Sequence, residues 1–407
     1  MVKHGAKQAD NINVIMVKIA AVVFSYYRWD ARVRREAESL VDAGMSVDVI
    51  CLQKEGESKE ETINGVSVRR MPLGRKRAGQ LRYIFEYFAF TLLAFIKLSM
   101  RHMTRRYDVV HVHNMPDFLV FTAFLLKLTG SKVVLDLHDP TPEVYMAKYS
   151  MGSEHPVVRV LKFVEKISIR FADLVLTPNI AFRDLFVSRG CPEQKIHIVM
   201  NSPDPAIFQK VSDAGKAPGH RKLNTLRLMY HGTVVERHGL QTALEALPIL
   251  KGAGLDVVFD VYGEGDYVET FLRLVKEKKL ADSVHYHGHV RLDDIPGEIA
   301  KCDIGLIPNM RTEFTEINFP TRIFEYLSMG KSVIAPRTKG IQDYFDEASI
   351  YFFEPGNADS LARTILRAWQ NPSECEEVLK RGRQIYLAHQ WDTERPQFCE
   401  LFARIAA

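Results

Sequence analysis

Much that would assign this chain at a glance is missing from it. Its five cysteines, Cys51, Cys191, Cys302, Cys375 and Cys399, form no CxxC pair and no regular spacing. That excludes a disulfide scaffold and a cysteine zinc site, and it fits reduced thiols in a cytoplasm. No hydrophobic run reaches membrane-spanning length; the longest, Tyr87 to Ile96, is closed by Glu86 and Lys97. There is no GxxxxGK[ST], so P-loop phosphoryl chemistry is out, and no complete GxGxxG, so a nicotinamide dehydrogenase is disfavoured. There is no DxD, the usual metal anchor for a sugar nucleotide. Charge is nearly balanced at +4, which argues against a dedicated nucleic-acid binder. The first fifteen residues are polar and mixed, without an apolar signal core, so export is not expected.

What is present is an alternation of short apolar strands with amphipathic helices, the pattern of parallel sheets with crossover helices. It runs from Lys18–Phe24 to Ile196–Met200, and restarts at Leu226–His231 after an aperiodic stretch at 201–224. With 407 residues, two domains are expected. We read an α/β protein of two Rossmann-like domains: 16–205, 206–388, and a closing helical segment, 389–407. Ligands of such folds bind at the carboxyl ends of the strands.

The most informative stretch runs from Ile317 to Pro336. Pro320 suits the first turn of a helix, Thr321 offers a capping hydroxyl, and Gly330 suits a left-handed stop. Such a helix tip favours an anion. Arg322 adds a planar fork for phosphate oxygens, and Glu325, three residues on, suits a vicinal diol such as a ribose. A capped surface helix with an Arg–Glu pair is the plain alternative. Gly232, at the end of Leu228–His231, permits close backbone approach, and Arg237 is a second phosphate clamp or a solvated loop arginine. Gly263-Glu264-Gly265 is half of a glycine fingerprint.

In the first half, His111-Val112-His113 ends one strand, and Asp136-Leu137-His138-Asp139 ends the next. These residues suit a metal cluster, or a substrate hydroxyl facing His138 and Asp139, or plain strand ends. Asp30, Arg32 and Arg35 open a helix, where Arg32 and Arg35 share a face; they suit an anionic acceptor and, equally, a plain solvated helix end. Between residues 75 and 106 lie eight basic residues against one acid, Glu86, amid aromatic side chains. That suits either contact with an anionic membrane or a helix with one solvated basic face.

Together these residues resemble a retaining glycosyltransferase of the GT-B fold, family 4, in the subgroup used for bacterial surface polysaccharides. The resemblance covers nearly the whole chain. It runs through Asp30-x-Arg32-Val33-x-x-Glu36, the Asp108–His113 strand, His138-Asp139-x-x-Pro142-Glu143, Gly232-x(6)-Gly239, Gly263-x-Gly265 and Pro320-Thr321-Arg322-x-x-Glu325-Tyr326-x-x-x-Gly330-Lys331. It implies two Rossmann-like domains facing across a cleft, with the helix after Trp391 crossing back to the first. It implies transfer of a sugar from a nucleotide diphosphate sugar to a hydroxyl, with retention, and without metal or other cofactor. Catalytic roles fall to His138 and Asp139. Donor binding falls to Gly232, Thr233, Arg237, Gly263, Val290, Pro320, Thr321, Arg322 and Glu325, and acceptor binding to Asp30, Arg32, Arg35 and Glu143. The implied partners are a nucleotide-sugar donor and a lipid-linked or saccharide acceptor, with membrane contact through 75–106 and no nucleic acid. The expected location is cytoplasmic, peripheral on the inner face of the cell membrane. One departure stands out: many members carry a glutamate eight positions before the second, and that position here is Ile317, with Glu316 one off. A sugar-nucleotide epimerase, a non-catalytic binding subunit, and a metal-dependent hydrolase using His111, His113, His138 and Asp139 are the alternatives.

Overall fold

The computed structural model describes residues 16–74, 80–208 and 225–407. Most of the aperiodic stretch 201–224, and Arg75 to Arg77, lie outside the described residues. The chain divides into two compact units. The first holds the described residues up to Val112, with Thr122–Val133 and Cys399–Ala407; the second holds His113–Phe121 and Val134–Phe398.

In the first unit, β1 (Lys18–Val22), β2 (Ser46–Leu52), β3 (Glu60–Ile63), β4 (Val66–Met71) and β5 (Val109–His113) lie in the order β3-β4-β2-β1-β5. β1, β2, β4 and β5 pair in parallel, while β3 runs antiparallel to β4. The hairpin between β3 and β4 turns on Asn64 and Gly65, both at positive φ (48° and 80°), as a tight two-residue turn requires. Helix α1 (Ala31–Asp42) buries Val33, Ala37 and Leu40, one helical face. The last residues of the chain pack here too. Phe402 meets the His111 ring edge-on at 5.0 Å, and the Cys399 thiol contacts the Ser39 carbonyl at 3.5 Å.

Helix α2 (Gln80–Arg105) bears on one alternative drawn from the sequence. Its buried face, Tyr87, Phe90, Ala94 and Leu98, packs inward, with Phe24 against Tyr87 and Phe90. Its basic residues reach acids while staying partly solvated, with the Arg82 and Lys97 side chains 50% and 38% exposed. Arg101 and Arg105 reach the buried carboxylate of Asp48 at 3.5 and 3.4 Å, Lys97 reaches Glu60 at 3.3 Å, and Arg82 reaches Glu86 at 3.2 Å. A buried carboxylate is costly unless paired, so it draws the flexible cations back to the sheet. What faces outward is apolar: Phe85, Phe88, Leu92, Ile96, Met100 and Met103, each at least 45% exposed. The short helix α3 (Phe124–Leu128) adds exposed Phe124, Leu125 and Leu128. Among the described residues, no helix is long and apolar enough to cross a membrane.

The second unit begins with β6 (Lys132–Asp136), α4 (Thr141–Tyr149), α5 (Pro156–Phe171), β7 (Leu174–Thr177), α6 (Ile180–Ser188), β8 (Ile196–Ile198) and α7 (Pro205–Phe208); β6, β7 and β8 pair in parallel. A six-stranded, all-parallel sheet follows: β9 (Thr225–His231), β10 (Asp256–Tyr262), β11 (Val284–Gly288), β12 (Ile304–Leu306), β13 (Ser332–Pro336) and β14 (Tyr351–Phe353), ordered β11-β10-β9-β12-β13-β14. Between them run α8 (Leu240–Gly252), α9 (Val268–Glu277), α10 (Ile295–Lys301), α11 (Arg322–Ser328), α12 (Lys339–Gln342) and α13 (Ala358–Gln370), then α14 (Pro372–Ala388) and α15 (Trp391–Ala406). One core cluster lies under α8, α9 and α13, the other under α10, α11 and α14, so helices cover both faces. This is the doubly wound arrangement expected from the strand–helix alternation. Near its middle, β9 sends Leu226, Leu228 and Tyr230 into the first cluster and Met229 into the second.

Candidate functional site

β9 ends at His231, and α11 lies against that end. Residues three and four apart share a helix face, and Arg322, Glu325 and Tyr326 all reach β9. Arg322 Nη1 donates to the His231 carbonyl at 2.7 Å, the Tyr326 hydroxyl donates to the Met229 carbonyl at 2.8 Å, and Glu325 Oε2 lies 3.2 Å from His231 Nε2. The Arg322 guanidinium also covers the Tyr230 ring at 4.6 Å from its centroid. Burial pushes the Glu325 carboxyl up to about 7, with Arg322 opposing. Burial, with help from Arg322, lowers both His231 and His238 to about 3, so both rings are neutral.

The helix tip differs from the expectation. Thr321 sits in helical conformation (φ −52°, ψ −30°) and its side chain makes no capping bond. A hydroxyl reaches the first amides only from extended backbone. The Ile323 amide donates to the Pro320 carbonyl at 3.0 Å, and the Phe324 and Glu325 amides to Thr321 at 2.9 and 3.2 Å. Few amides remain free, so the positive charge here comes from arginine side chains. Gly330 is the left-handed stop, at φ 68°. Lys331 is structural: its ammonium donates to the carbonyls of Ala300 and Cys302 at 2.9 and 2.7 Å.

Gly232 and Gly263 let two strand-end loops touch. A Cβ on Gly263 would lie 1.9 Å from the Gly232 carbonyl oxygen, and one on Gly232 would lie 2.6 Å from Arg322 Nη1. Both residues take positive φ (124° and 129°), open only to glycine at low cost. Arg237 follows on the same loop, with its guanidinium 5.9 Å from the Phe314 ring. Its buried Nε has no hydrogen-bond partner, and among the described residues it forms no ion pair. It is the uncommitted cation of the region. Thr233 is exposed, and its carbonyl accepts from the Tyr230 hydroxyl and from His238 Nδ1 at 2.6 and 2.7 Å. Val290 packs on the core cluster, and Pro320 is buried. Glu316, one place off the expected glutamate, takes the Lys339 amide at 3.3 Å and Arg311 at 3.4 Å.

The turn after β6 is held by Asn114. Its amide oxygen accepts from the His138 amide at 3.1 Å, and its nitrogen donates to the Asp139 carbonyl at 2.7 Å and to Asp117 at 2.9 Å. Thr141 donates to the same Asp117 oxygen at 2.8 Å. His138 Nδ1 lies 4.0 Å from Asp136, and its side chain is 23% exposed. Asn114 closes the His111-Val112-His113-Asn114 strand end, and its role in holding this turn is what the sequence alone does not show.

Of the residues assigned to the acceptor, three serve the fold in this structure. The Asp30 carboxylate accepts from the Val33 amide at 3.2 Å and caps α1. Arg32 pairs with Glu36 at 3.1 Å one turn on. Glu143 is buried and taken by Arg189, which also holds Glu165 at 3.0 Å. Arg35 is buried on α1. A buried carboxylate needs a cation, and Arg189 was not visible as its partner from 46 positions away.

Residues able to ligate a cation are present: Glu36 lies 3.8 Å from His111, and His113 lies 3.1 Å from Asp136. All four are buried. A hydrolytic metal needs an open position for water and substrate, so the hydrolase alternative is not favoured.

Comparison with known proteins matches this architecture. The sucrose-phosphate synthase of Thermosynechococcus elongatus superposes with a TM-score of 0.77 at 18% identity, over 96% of this chain and 99% of that one. A family model described as glycosyl transferase 4-like domain matches residues 30–202, and one described as glycosyl transferases group 1 matches 225–371. Residues 30–202 and 225–371 thus match two glycosyltransferase domain families, and the fold is that of the GT-B glycosyltransferases. Another member of the fold, Anabaena Alr3699/HepE, solved in complex with UDP-glucose, has a TM-score of 0.68 at 15% identity over 95% of this chain and 99% of that one. The amylovoran biosynthesis glycosyltransferase AmsK of Erwinia amylovora is 25% identical over 214 residues, 52% of this chain and 51% of the relative. The chain thus spans about half the length of that curated relative.

Proposed function

We propose that this chain transfers a sugar from a nucleoside diphosphate sugar to a hydroxyl of a saccharide or lipid-linked acceptor, with retention of configuration and without a metal. The observation that carries the reading is the grouping at the end of β9: Arg322 fixed over Tyr230, Glu325 beside it, and Arg237 without an ion-pair partner among the described residues. As the glycosidic bond breaks, negative charge grows on the leaving diphosphate. Arg237 and Arg322 meet that charge, and Glu325 accepts from the ribose hydroxyls. Preorganised charge of this kind is commonly the largest catalytic contribution, and losing one donor costs ~2.7–4 kcal/mol. The leaving phosphate takes the acceptor's proton on the same face, and His138 and Asp139 face the sugar.

Support comes from the relatives. Alr3699/HepE was solved with UDP-glucose, and AmsK is named as a glycosyltransferase of amylovoran biosynthesis. The division into 16–205, 206–388 and 389–407 is part of this reading; the two family matches, 30–202 and 225–371, fall within its first two parts. The apolar outer face of α2 is the proposed membrane contact, at the inner face of the cell membrane, where a lipid-linked acceptor would be met. An epimerase or a non-catalytic subunit is not favoured.

Thermal unfolding with UDP, ADP and GDP tests the reading. Binding at 100 times Kd stabilises by about 2.7 kcal/mol. At least one of the three should raise the midpoint, and the rise should vanish in Arg237→Ala. A chain that none of them stabilises would refute the assignment, and conversion of donor without any acceptor would point to the epimerase.

A further inference from the structure

His231 touches α11 twice. Its carbonyl accepts the Arg322 guanidinium at 2.7 Å, and its Nε2 faces Glu325 Oε2 at 3.2 Å. The ring is fixed edge-on against Tyr326, with centroids 5.1 Å apart and planes at 71°. It is 94% buried by its 6% exposure, and Nε2 has no aligned hydrogen bond in this state. A neutral imidazole carries one N–H, and once Glu325 is ionised its carboxylate opposite Nε2 selects the tautomer that donates from that atom.

Arg322 and Glu325 lie three residues apart on one face, the usual spacing of an ion pair. Among the described residues they form none. The guanidinium is taken by the His231 carbonyl and the Tyr230 ring, and the carboxylate turns to the His231 imidazole. One residue thus separates a cation and an anion that would otherwise neutralise each other. A glutamate locked to its own arginine could not accept two hydroxyls from a ligand.

We propose that His231 is a positioning residue for diol recognition: its backbone withdraws Arg322 and its ring aims the Glu325 carboxylate at the vicinal hydroxyls of a ribose. This rests on the reading of Glu325 as the diol acceptor. The unaligned Nε2 has a place in it. On binding, the carboxylate moves by a fraction of an ångström to meet two hydroxyls, and the imidazole N–H aligns behind it.

The test compares UDP, ADP and GDP with their 3′-deoxy counterparts by calorimetry, in the full chain and in variants. The unaltered chain should favour the ribonucleotide by about tenfold or more, the worth of one lost hydrogen bond to a charged group. His231→Asn, whose amide stops short of Glu325, should bring that ratio close to one. His231→Gln, whose longer amide reaches, should restore most of it. Both are small changes at one site, and matching circular dichroism shows that both fold. An unchanged ratio in His231→Asn overturns the proposal. Glu325→Ala separates the two levels: a ratio that survives there removes Glu325 from the diol, and the proposal with it. A ratio lost in Glu325→Ala but kept in His231→Asn removes His231 alone.

Discussion

The guanidinium carbon of Arg322 sits 4.6 Å from the centre of the Tyr230 ring, and the same side chain donates to the next residue's carbonyl. Arg322 therefore belongs to the packing of the six-stranded sheet as well as to the proposed phosphate grip. Arg237 has no such second duty. The two arginines should separate under mutation. Arg237→Ala should lower kcat/KM by about 10²–10³ with an unchanged melting temperature. Arg322→Ala should lose similar activity and also destabilise the fold by about 1–2 kcal/mol, through the lost hydrogen bond and ring contact. Steady-state kinetics beside thermal melts check both, and equal melting losses would contradict the distinction.

The Glu325 carboxyl should impose a pH dependence of known sign. It is raised from 4.5 to about 7 by burial, so in the empty protein it holds a proton across most of that interval. Accepting two hydroxyls favours the ionised form. Nucleoside diphosphate affinity should therefore climb as pH rises toward about 7 and level off above it. Stability of the empty protein runs the other way. Between 4.5 and about 7 the native state binds more protons than the unfolded chain, so stability falls as pH rises through that window. Glu325→Gln should flatten both curves, and calorimetry with melts at matched pH reads them. A slope that survives the substitution assigns it to another group.

Much of this was legible in the sequence because it is local. α13 occupies Ala358–Gln370, as its periodicity and the preceding Asn357 indicate. Arg322, Glu325 and Gly330 fall on one short segment whose spacing fixes their faces. The first half was harder. Asn64-Gly65 is the standard signal of a tight hairpin, but β3 before it, Glu-Glu-Thr-Ile, carries too little apolar character to read as a strand. Pro142 reads as a turn residue, yet proline is well tolerated in a first helical turn, which is where α4 places it. The stretch from Pro116 to Leu128 reads as one helix, but the structure splits it into a 3-10 turn at Asp117–Ala123 and the short α3. What no local pattern could show is pairing at long range: Arg189 with Glu143, Arg101 with Asp48, His231 with Glu325. Each depends on strand register and on the cost of a buried charge. The same holds at the start of α1 and at Glu143, where the partners that Asp30, Arg32 and Glu143 take within the fold are not marked in the sequence.

The outer face of α2 should bind lipid by insertion rather than by charge. Its cations are tied to Asp48, Glu60 and Glu86, while Phe85, Phe88, Leu92 and Met100 are each more than half exposed on that face. Burying such side chains stabilises by about 1.5–3 kcal/mol each at full burial. Cosedimentation with phosphatidylglycerol vesicles should persist at high salt and fall at least about tenfold in the Phe88→Asp, Leu92→Asp double variant, with the melt unchanged. Release by salt alone would show that charge, not insertion, holds the protein.

Phe402 and Cys399 complete the packing around His111 and Ser39. Ser39 and Cys399 stand 360 positions apart. During synthesis that much further chain must be made before the interior beside α1 can close.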